Sequence, residues 1–403
     1  MNKTKNTNFY VLLFSVAYFV SYITRINFGA IIAEMEIATG YSRTLLSASI
    51  TGSFITYGTG QIVSGIFGDR VSPKKLVSVG FIITALMNLI IPFAPNAYFM
   101  AALWCINGFA QSFMWPPMVK LMTNIFTDEE YKKASVKVSW GSSFGTLAVY
   151  LISPVIITAL SWKGVFLISS LSAVIILIVW NRYCIDSEQN TVSSGERRNF
   201  SLDSLLNPVM IAVMVAIILQ GMLRDGVTTW MPSYIAETYN LSSVIAILTG
   251  IVLPVFSIIS FSVTSKLYRD KLKNPLLCAG VLFALGAVSA LLLSFSSGYI
   301  AGFSVVLSAL LTGTMHGVNL ILICMIPPFF KKSGNVSTVS GILNSCTYIG
   351  SAISTYGIAV LTEKFSWSLT LKIWILIALA GAIICLVCIK PWERKINKLN
   401  QGE

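Results

Sequence analysis

Apolar residues run along this 403-residue chain in long blocks that short polar segments separate. A helix of about twenty residues crosses the hydrocarbon core of a bilayer, and most of the blocks have at least that length. We therefore predict an all-α integral membrane protein with twelve transmembrane helices. The predicted spans are 9–32, 44–67, 75–94, 98–126, 134–158, 164–183, 208–235, 243–265, 275–294, 298–328, 336–361 and 369–389.

The longest polar stretch, RYCIDSEQNTVSSGERRNFSLDSLL, divides these spans into two sets of six. We predict an N-terminal half (1–183), a linker (184–207), a C-terminal half (208–390) and a tail (391–403). The halves also echo one another, since GIFGDRVSPKK follows the second span and the similarly basic TSKLYRDKLKNP follows the eighth. Such an echo is expected of a transporter built from two parallel repeats.

Composition agrees with a membrane protein, because 55% of the residues are hydrophobic, 11% are charged and the mean hydropathy is +0.77. The net charge of +12 does not indicate nucleic acid binding, since no basic stripe is interleaved with aromatic residues. We expect a monomer surrounded by lipid.

Lysine and arginine in the short loops indicate the orientation of the spans. Twenty of these residues fall on one side of the predicted topology and four on the other. The larger set is Lys3, Lys5, Arg70, Lys74, Lys75, Lys132, Lys133, Arg182, Arg197, Arg198, Lys266, Arg269, Lys271, Lys273, Lys331, Lys332, Lys390, Arg394, Lys395 and Lys398, and the smaller is Arg43, Lys163, Lys364 and Lys372. Because positive loops stay inside, we predict a multi-pass protein of the cytoplasmic membrane with both termini and the linker in the cytoplasm.

Two arginines lie deep in apolar runs: Arg25 in the first span and Arg224 in the first span of the second half. An intramembrane charge usually faces a bundle interior or an aqueous cavity. Neither arginine has a carboxylate three or four residues away, and Asp225, as the next residue on the helix, is expected to point about 100° from Arg224. We therefore expect both guanidinium groups to face one central cavity and to bind an anion, for which a phosphate ester dianion is well suited.

The same charges suggest exchange. Two like charges repel in an empty, low-dielectric cavity, and a bound dianion would neutralise them and let the halves rock.

Four further residues are candidates near this level. Tyr18 and Tyr22 share a helical face with Arg25, although both could be ordinary packing aromatics. His316, the one histidine, lines the cavity in one interpretation and is merely hydrogen-bonded in the bundle in the other. Asp225 either pairs elsewhere in the bundle or is a proton-coupling group.

Lys120 follows Pro116 and Pro117, which should bend or break the fourth helix, and we favour a structural or cytoplasmic-side role for it.

The segment GIFGDRVSPKK resembles the G-x-x-x-D-R loop signature of the major facilitator superfamily, with Gly65 at its glycine position and Asp69 and Arg70 at its acidic and basic positions. Within it, Y-x-x-x-Y-x-x-R, GFAQSFMWPP and LRDGVTTWMPSY resemble the organophosphate:phosphate antiporters, the bacterial glycerol-3-phosphate and hexose-phosphate exchangers. The resemblance implies that Arg25 and Arg224 bind the phosphate. It also implies that Tyr18, Tyr22, Trp140, His316 and Tyr348 line the cavity.

The sequence departs from the glycerol-phosphate carriers at three of their basic positions, where it has Ile26, Gln61 and Phe144. Glycerol-3-phosphate is therefore a doubtful substrate, and a larger or less charged one is plausible. Two alternatives stay open: a proton-coupled symporter of an organic carboxylate, in which Asp225 and His316 titrate, and a membrane sensor of a sugar phosphate. No cluster of residues with the spacing of a metal site, a cofactor site or a catalytic centre is found in the sequence, so we expect neither a metal, a cofactor nor enzymatic activity.

Overall fold

The computed structural model describes residues 7–185, 207–241 and 249–401, and the regular elements in these ranges are helical. Lys3, Lys5, Arg197, Arg198, most of the predicted linker 184–207 and the start of the predicted span 243–265 lie outside the described residues. The helices are α1 (Thr7–Ala30), α2 (Ile32–Thr39), α3 (Arg43–Arg70), α4 (Pro73–Ile90), α5 (Ala97–Gln111), α6 (Trp115–Ile125), α7 (Asp128–Tyr183), α8 (Pro208–Tyr239), α9 (Val252–Asp270), α10 (Pro275–Ser296), α11 (Ala301–Asn319), α12 (Val336–Lys364), α13 (Trp367–Val387) and α14 (Ile389–Gln401).

These helices correspond to the twelve predicted spans. By length and composition alone, seven helical runs of the described residues could cross a bilayer, and one of them, Asp128–Tyr183, holds two spans. Three of the other four spans are α3, α9 and α12. Serine, threonine and glycine lower the hydropathy of α3 and α12, and serine and the terminal charged residues lower that of α9. The fourth is divided between α5 and α6.

The breaks in the helices have local causes. The predicted effect of Pro116 and Pro117 is confirmed, because helix 4 of the prediction ends at Gln111 and resumes at Trp115. The long run α7 is two helices joined at Ser161, whose φ of 63° lies in the left-handed region. α2 is a short extension of the first span and ends at Gly40, whose φ is 72°.

Three helices begin with the same device, a polar cap followed by proline. The side chains of Ser72, Asn207 and Asn274 accept hydrogen bonds from backbone N–H groups in the first turns of α4, α8 and α10. Proline follows each cap at the first helical position, where its missing N–H costs nothing. α4 and α10 begin the third helix of each half, so this start is repeated between the halves.

Contacts divide the chain into two units. One comprises Met1–Arg198 with Lys331–Ile342, and the other comprises Asn199–Phe330 with Leu343–Glu403. The first turns of α12 therefore pack with the first unit and the rest of α12 with the second. The predicted linker boundaries stay a prediction, since most of that segment is not described.

Glycine allows helices to pack closely near Arg25 in the first unit and near Arg224 in the second. In the first unit, a Cβ on Gly145 of α7 would come within 2.8 Å of the Phe19 carbonyl oxygen and of Tyr22 Cβ on α1. In the second, a Cβ on Gly221 or Gly226 of α8 would overlap Thr347 or Ser354 of α12. The first helix of each half is thus pressed against the fifth, as small residues permit in membrane bundles.

Candidate functional site

Two tyrosine rings flank the guanidinium group of Arg25 in the first unit. Arg25 Cζ lies 4.1 Å from the ring centroid of Tyr22 on α1 and 4.7 Å from that of Tyr57 on α3. Tyr57 is almost wholly buried, and Arg25 is half-buried. The negative faces of the two rings attract the cation and fix the plane of the guanidinium.

The aromatic surface continues along α1. The ring of Tyr18 lies 5.2 Å from the ring of Tyr22 and 4.9 Å from the indole of Trp115 at the start of α6. Trp140 is half-buried on α7, next to Gly141, whose added Cβ would approach the Ser15 carbonyl on α1 at 2.5 Å. Tyr18, Tyr22 and Arg25 thus form a connected group, as the helical spacing predicts.

A buried polar network fixes α1 one residue before Arg25. The backbone oxygen of Thr24 accepts hydrogen bonds from Asn88 of α4 at 3.2 Å and Asn107 of α5 at 3.1 Å. The Thr24 hydroxyl accepts a third, from Gln111 Nε2 at 2.8 Å. Since all four side chains are buried, rotation of α1 would break several hydrogen bonds away from water, and the direction of Arg25 is set.

Arg224 in the second unit has a partner that the sequence pattern did not indicate. Arg224 Nε donates to Asp225 Oδ1 at 2.6 Å and Nη2 donates to Asp225 Oδ2 at 2.8 Å. The expectation that Asp225 points away is therefore wrong: both side chains curve around the helix, and the long arginine stem closes a bidentate pair. Ser351 of α12 donates a short hydrogen bond to Asp225 Oδ2 and holds the carboxylate in place.

His316 and Tyr348 lie in the same unit. His316, half-buried on α11, contacts the Phe261 ring at 5.5 Å and lies close enough to Arg224 and Asp225 to interact electrostatically with both. Tyr348 is half-buried on α12, three residues before Ser351 and so on the same helical face. Gln220 of α8 donates to the Met315 carbonyl at 3.1 Å and ties α8 to α11 at this level.

The chemistry available at the two arginines differs in one respect. A guanidinium has five N–H donors, and Asp225 uses two of those on Arg224, along one edge. The remaining edge keeps the fork geometry that suits a carboxylate or a phosphate. In the described residues no group of three His, Cys, Asp or Glu side chains is arranged to hold a metal ion.

The loop motif after α3 forms a separate polar cluster in the first unit. The carboxylate of Asp69 accepts hydrogen bonds from the backbone N–H groups of Ser337 at 3.1 Å and Thr338 at 2.7 Å, in the first turn of α12. Lys120 Nζ lies 3.6 Å from Asp69 Oδ1 and donates to the Gly68 carbonyl at 2.9 Å. These contacts support the structural or cytoplasmic-side role that we favour for Lys120. The acidic side chain of Asp69 at a helix N-terminus is electrostatically favourable.

Gly65 allows α3 to approach α12 at this cluster, and burial changes the pKa of Asp69. A Cβ on Gly65 would lie 2.8 Å from the Ser337 carbonyl oxygen, so glycine is needed where α3 meets α12. Asp69 lies beyond the predicted span 44–67, and burial raises the pKa of its carboxyl, against the opposing effects of Lys120 and the two N–H donors. Arg70 ends α3 and follows this cluster directly.

Sequence reasoning missed three residues of the arginine environments: Tyr57, Trp115 and Ser351. Each is an ordinary residue type in an apolar run, and nothing in its spacing marks it. The network around Thr24 carried a better signal, because asparagine and glutamine are rare in apolar spans and usually bond within the bundle.

Comparison with known proteins identifies the family. The Major Facilitator Superfamily matches residues 14–355 of the chain. The chain belongs to the major facilitator superfamily. Its fold agrees, since the outward conformation of the superfamily transporter FucP aligns with a TM-score of 0.78 at 12% identity, covering 94% of this chain and 99% of that one.

Relatives of this superfamily member include a membrane sensor and a probable hexose phosphate transport protein. The membrane sensor protein UhpC of Salmonella typhimurium is 22% identical over 402 residues, covering 92% of this chain and 88% of that protein. A probable hexose phosphate transport protein of Chlamydia muridarum is 26% identical over 186 residues, covering 46% of this chain and 40% of that protein. The resemblance to the organophosphate:phosphate antiporters is thereby confirmed. This superfamily member is a multi-pass membrane protein and not an enzyme.

Proposed function

We propose that the chain is a secondary transporter that exchanges an organic phosphate ester, of the sugar phosphate class, for inorganic phosphate by alternating access. Arg25 and Arg224 both bind the phosphoryl group. The proposal rests above all on these two half-buried arginines, which lie at equivalent depths: Arg25 is 18 residues after the start of α1 and Arg224 is 16 residues after the start of α8. The hexose phosphate transport relative supports the same substrate class.

The other candidate residues have supporting roles in this proposal. Tyr22 and Tyr57 orient Arg25, and Asp225 orients Arg224. Tyr18, Trp140, His316 and Tyr348 contact the organic part or the phosphoryl oxygens of the substrate. Gly65, Asp69 and Arg70 belong to a segment that changes conformation during transport. The protein is a monomer in the cytoplasmic membrane, and both of its termini face the cytoplasm.

Exchange follows from the charge of the site. When the site is empty, the positive charge that Asp225 does not compensate disfavours a closed, dehydrated state; phosphate or an ester neutralises this charge and permits the transition. The loaded protein therefore changes state quickly and the empty one slowly.

The test is uptake of labelled phosphate into proteoliposomes that are either preloaded with phosphate or empty. We expect internal phosphate to stimulate uptake, and Arg25→Lys and Arg224→Lys each to reduce it about a hundredfold, because lysine cannot form the bidentate fork. Arg182→Lys, at the exposed end of α7, is the matched control and should transport normally. Normal exchange in either site variant would contradict the two-arginine site.

A sensor of a sugar phosphate is the second candidate, because the sensor UhpC matches 92% of the chain. If the folded protein binds a hexose 6-phosphate saturably but does not exchange phosphate across the membrane of proteoliposomes, the sensor is favoured over the exchanger. Uptake driven by a pH gradient, without any need for internal phosphate, would instead favour the proton-coupled carboxylate symporter.

A further inference from the structure

We propose that Asp225 is a built-in anion that sets the charge of the substrate this protein accepts, an inference that rests on the proposed function. The carboxylate neutralises Arg224 within its own helix before any ligand arrives. The pair thereby reduces the net charge that the second unit offers to a substrate by one.

The geometry of the pair supports this role. Both carboxylate oxygens are bonded to the same guanidinium, at 2.6 and 2.8 Å, and Ser351 fixes the carboxylate from α12. The side chains are only 14% and 29% exposed, so water screens their interaction weakly. The carboxylate is therefore held on Arg224 and does not turn away into solvent.

Arg224 nevertheless stays able to bind a ligand. Asp225 occupies the Nε and Nη2 edge and leaves three N–H donors that it does not use. A phosphoryl group approaching that remaining edge meets a guanidinium whose plane is already fixed but whose charge is compensated. It gains hydrogen bonds at full strength and net Coulomb attraction at reduced strength.

The consequence is selectivity between substrates of equal shape and different charge. With Asp225 ionised, a second negative charge on the ligand gains little, because it is also repelled by the nearby carboxylate. Arg224 would discriminate more strongly in favour of dianions if Asp225 were neutral. The charged and titratable groups around Asp225 are Arg224 on α8 and His316 on α11, and the Ser351 hydroxyl faces it from α12.

Two ligands of matched shape test this idea. Hexose 6-phosphate carries nearly two negative charges at pH 7.5, since the second ionisation of a phosphate monoester lies near 6, whereas hexose 6-sulfate carries one. The measurement is the Kd of each ester for the purified full-length protein by calorimetry, expressed as the ratio of the sulfate Kd to the phosphate Kd.

Asp225→Asn should raise this ratio about tenfold over wild type, because it removes the charge and keeps the shape. Asp225→Glu keeps the charge and should restore the wild-type ratio to within about twofold. Ser351→Ala frees the carboxylate and should raise the ratio by less, about threefold. Asp270→Asn removes an exposed carboxylate at the cytoplasmic end of α9 and should leave the ratio unchanged.

An unchanged ratio in Asp225→Asn would overturn the proposal while leaving the proposed function intact, since wild type would still bind the phosphate ester. If Asp225→Asn does not fold, an unchanged ratio in Asp225→Ser, which also removes the charge, would overturn it equally. Failure of folded wild-type protein to bind either ester would overturn the proposed function, and this inference with it.

Discussion

Arg25 and Arg224 occupy equivalent depths in the first helix of each half, but their surroundings are built from different chemistry. Around Arg25 the structure places the faces of Tyr22 and Tyr57, which attract a cation through their quadrupoles. Around Arg224 it places Asp225, which supplies a full opposite charge. Two ways of stabilising a cation in an apolar bundle are thus present in one chain.

The difference matters because the two kinds of partner respond differently when the arginine is lost. Tyrosine rings are stable without a cation, whereas a partly buried carboxylate without its guanidinium carries a large desolvation cost. Arg25 is therefore the more easily replaced of the two in terms of folding, although both are needed for binding in the proposed function.

The largest expected effect comes from removing each arginine in turn. Arg224→Met should lower the free energy of unfolding by about 3 kcal/mol, because it leaves Asp225 without its counter-ion. Arg25→Met should lower it by about 1 kcal/mol or less, the worth of the cation–π contacts. Thermal unfolding of the detergent-purified proteins measures both.

A double variant controls for general damage at the second site. Arg224→Met combined with Asp225→Asn removes both charges, so most of the lost stability should return while phosphate binding stays absent. Equal losses in the two single variants would show that the two environments do not differ in the way we describe.

The packing of α1 against α7 gives the next largest effect. Gly145→Ala places a Cβ 2.8 Å from the Phe19 oxygen and from Tyr22 Cβ, and it should cost about 1–3 kcal/mol of stability and displace Tyr22 from Arg25. Gly313→Ala on α11 is the matched control, since its nearest neighbour is 3.7 Å away. A similar drop in unfolding temperature for both variants would mean that Gly145 is not a tight contact.

Sequence patterns were sufficient for the helices and for locating two half-buried arginines within them, because both depend on local properties. A span is a run of apolar residues, and a charged residue within such a run can be read directly from the sequence. The proline break before α6 was predicted for the same reason, since the cause lies within the helix that it interrupts.

The partners of the arginines could not be predicted, because they depend on side-chain paths and on neighbouring helices. The helical angle between neighbours places Asp225 away from Arg224, but that angle ignores the length and flexibility of the arginine stem. Tyr57 comes from α3, and its approach to Arg25 is set by tertiary packing alone. These contacts differ between the two halves, although both halves have an arginine at a similar position in their first helix.

A smaller effect tests the aromatic side of the comparison. Tyr57→Leu removes one ring from Arg25 and should weaken binding of the phosphate ester about fivefold, which corresponds to about 1 kcal/mol. Tyr57→Phe keeps the ring and should bind within about twofold of wild type. If Phe is as weak as Leu in calorimetry, the hydroxyl of Tyr57 and not its ring face is what the site uses.

The smallest effect concerns Asp69, a carboxylate whose partners, like those of Asp225, are fixed by the fold. Because burial raises the pKa of Asp69, the folded chain binds this proton more tightly than the unfolded chain. Its contribution to stability is therefore present below the usual pKa near 4 and is lost as the pH rises through the raised value.

Asp69→Asn removes that titration while keeping one acceptor for the N–H groups of Ser337 and Thr338. We expect the free energy of unfolding at neutral pH to change by only about 1 kcal/mol, since the lost attraction to Lys120 at 3.6 Å and the relieved desolvation oppose each other. Unfolding temperatures of both proteins between pH 4 and 7 measure this, and all other titrating groups cancel in the difference between the two curves. The difference should move in favour of the variant as the pH rises. A movement in favour of wild type would mean that Lys120 and the first turn of α12 outweigh burial, and that Asp69, like Asp225, is a carboxylate stabilised by its partners.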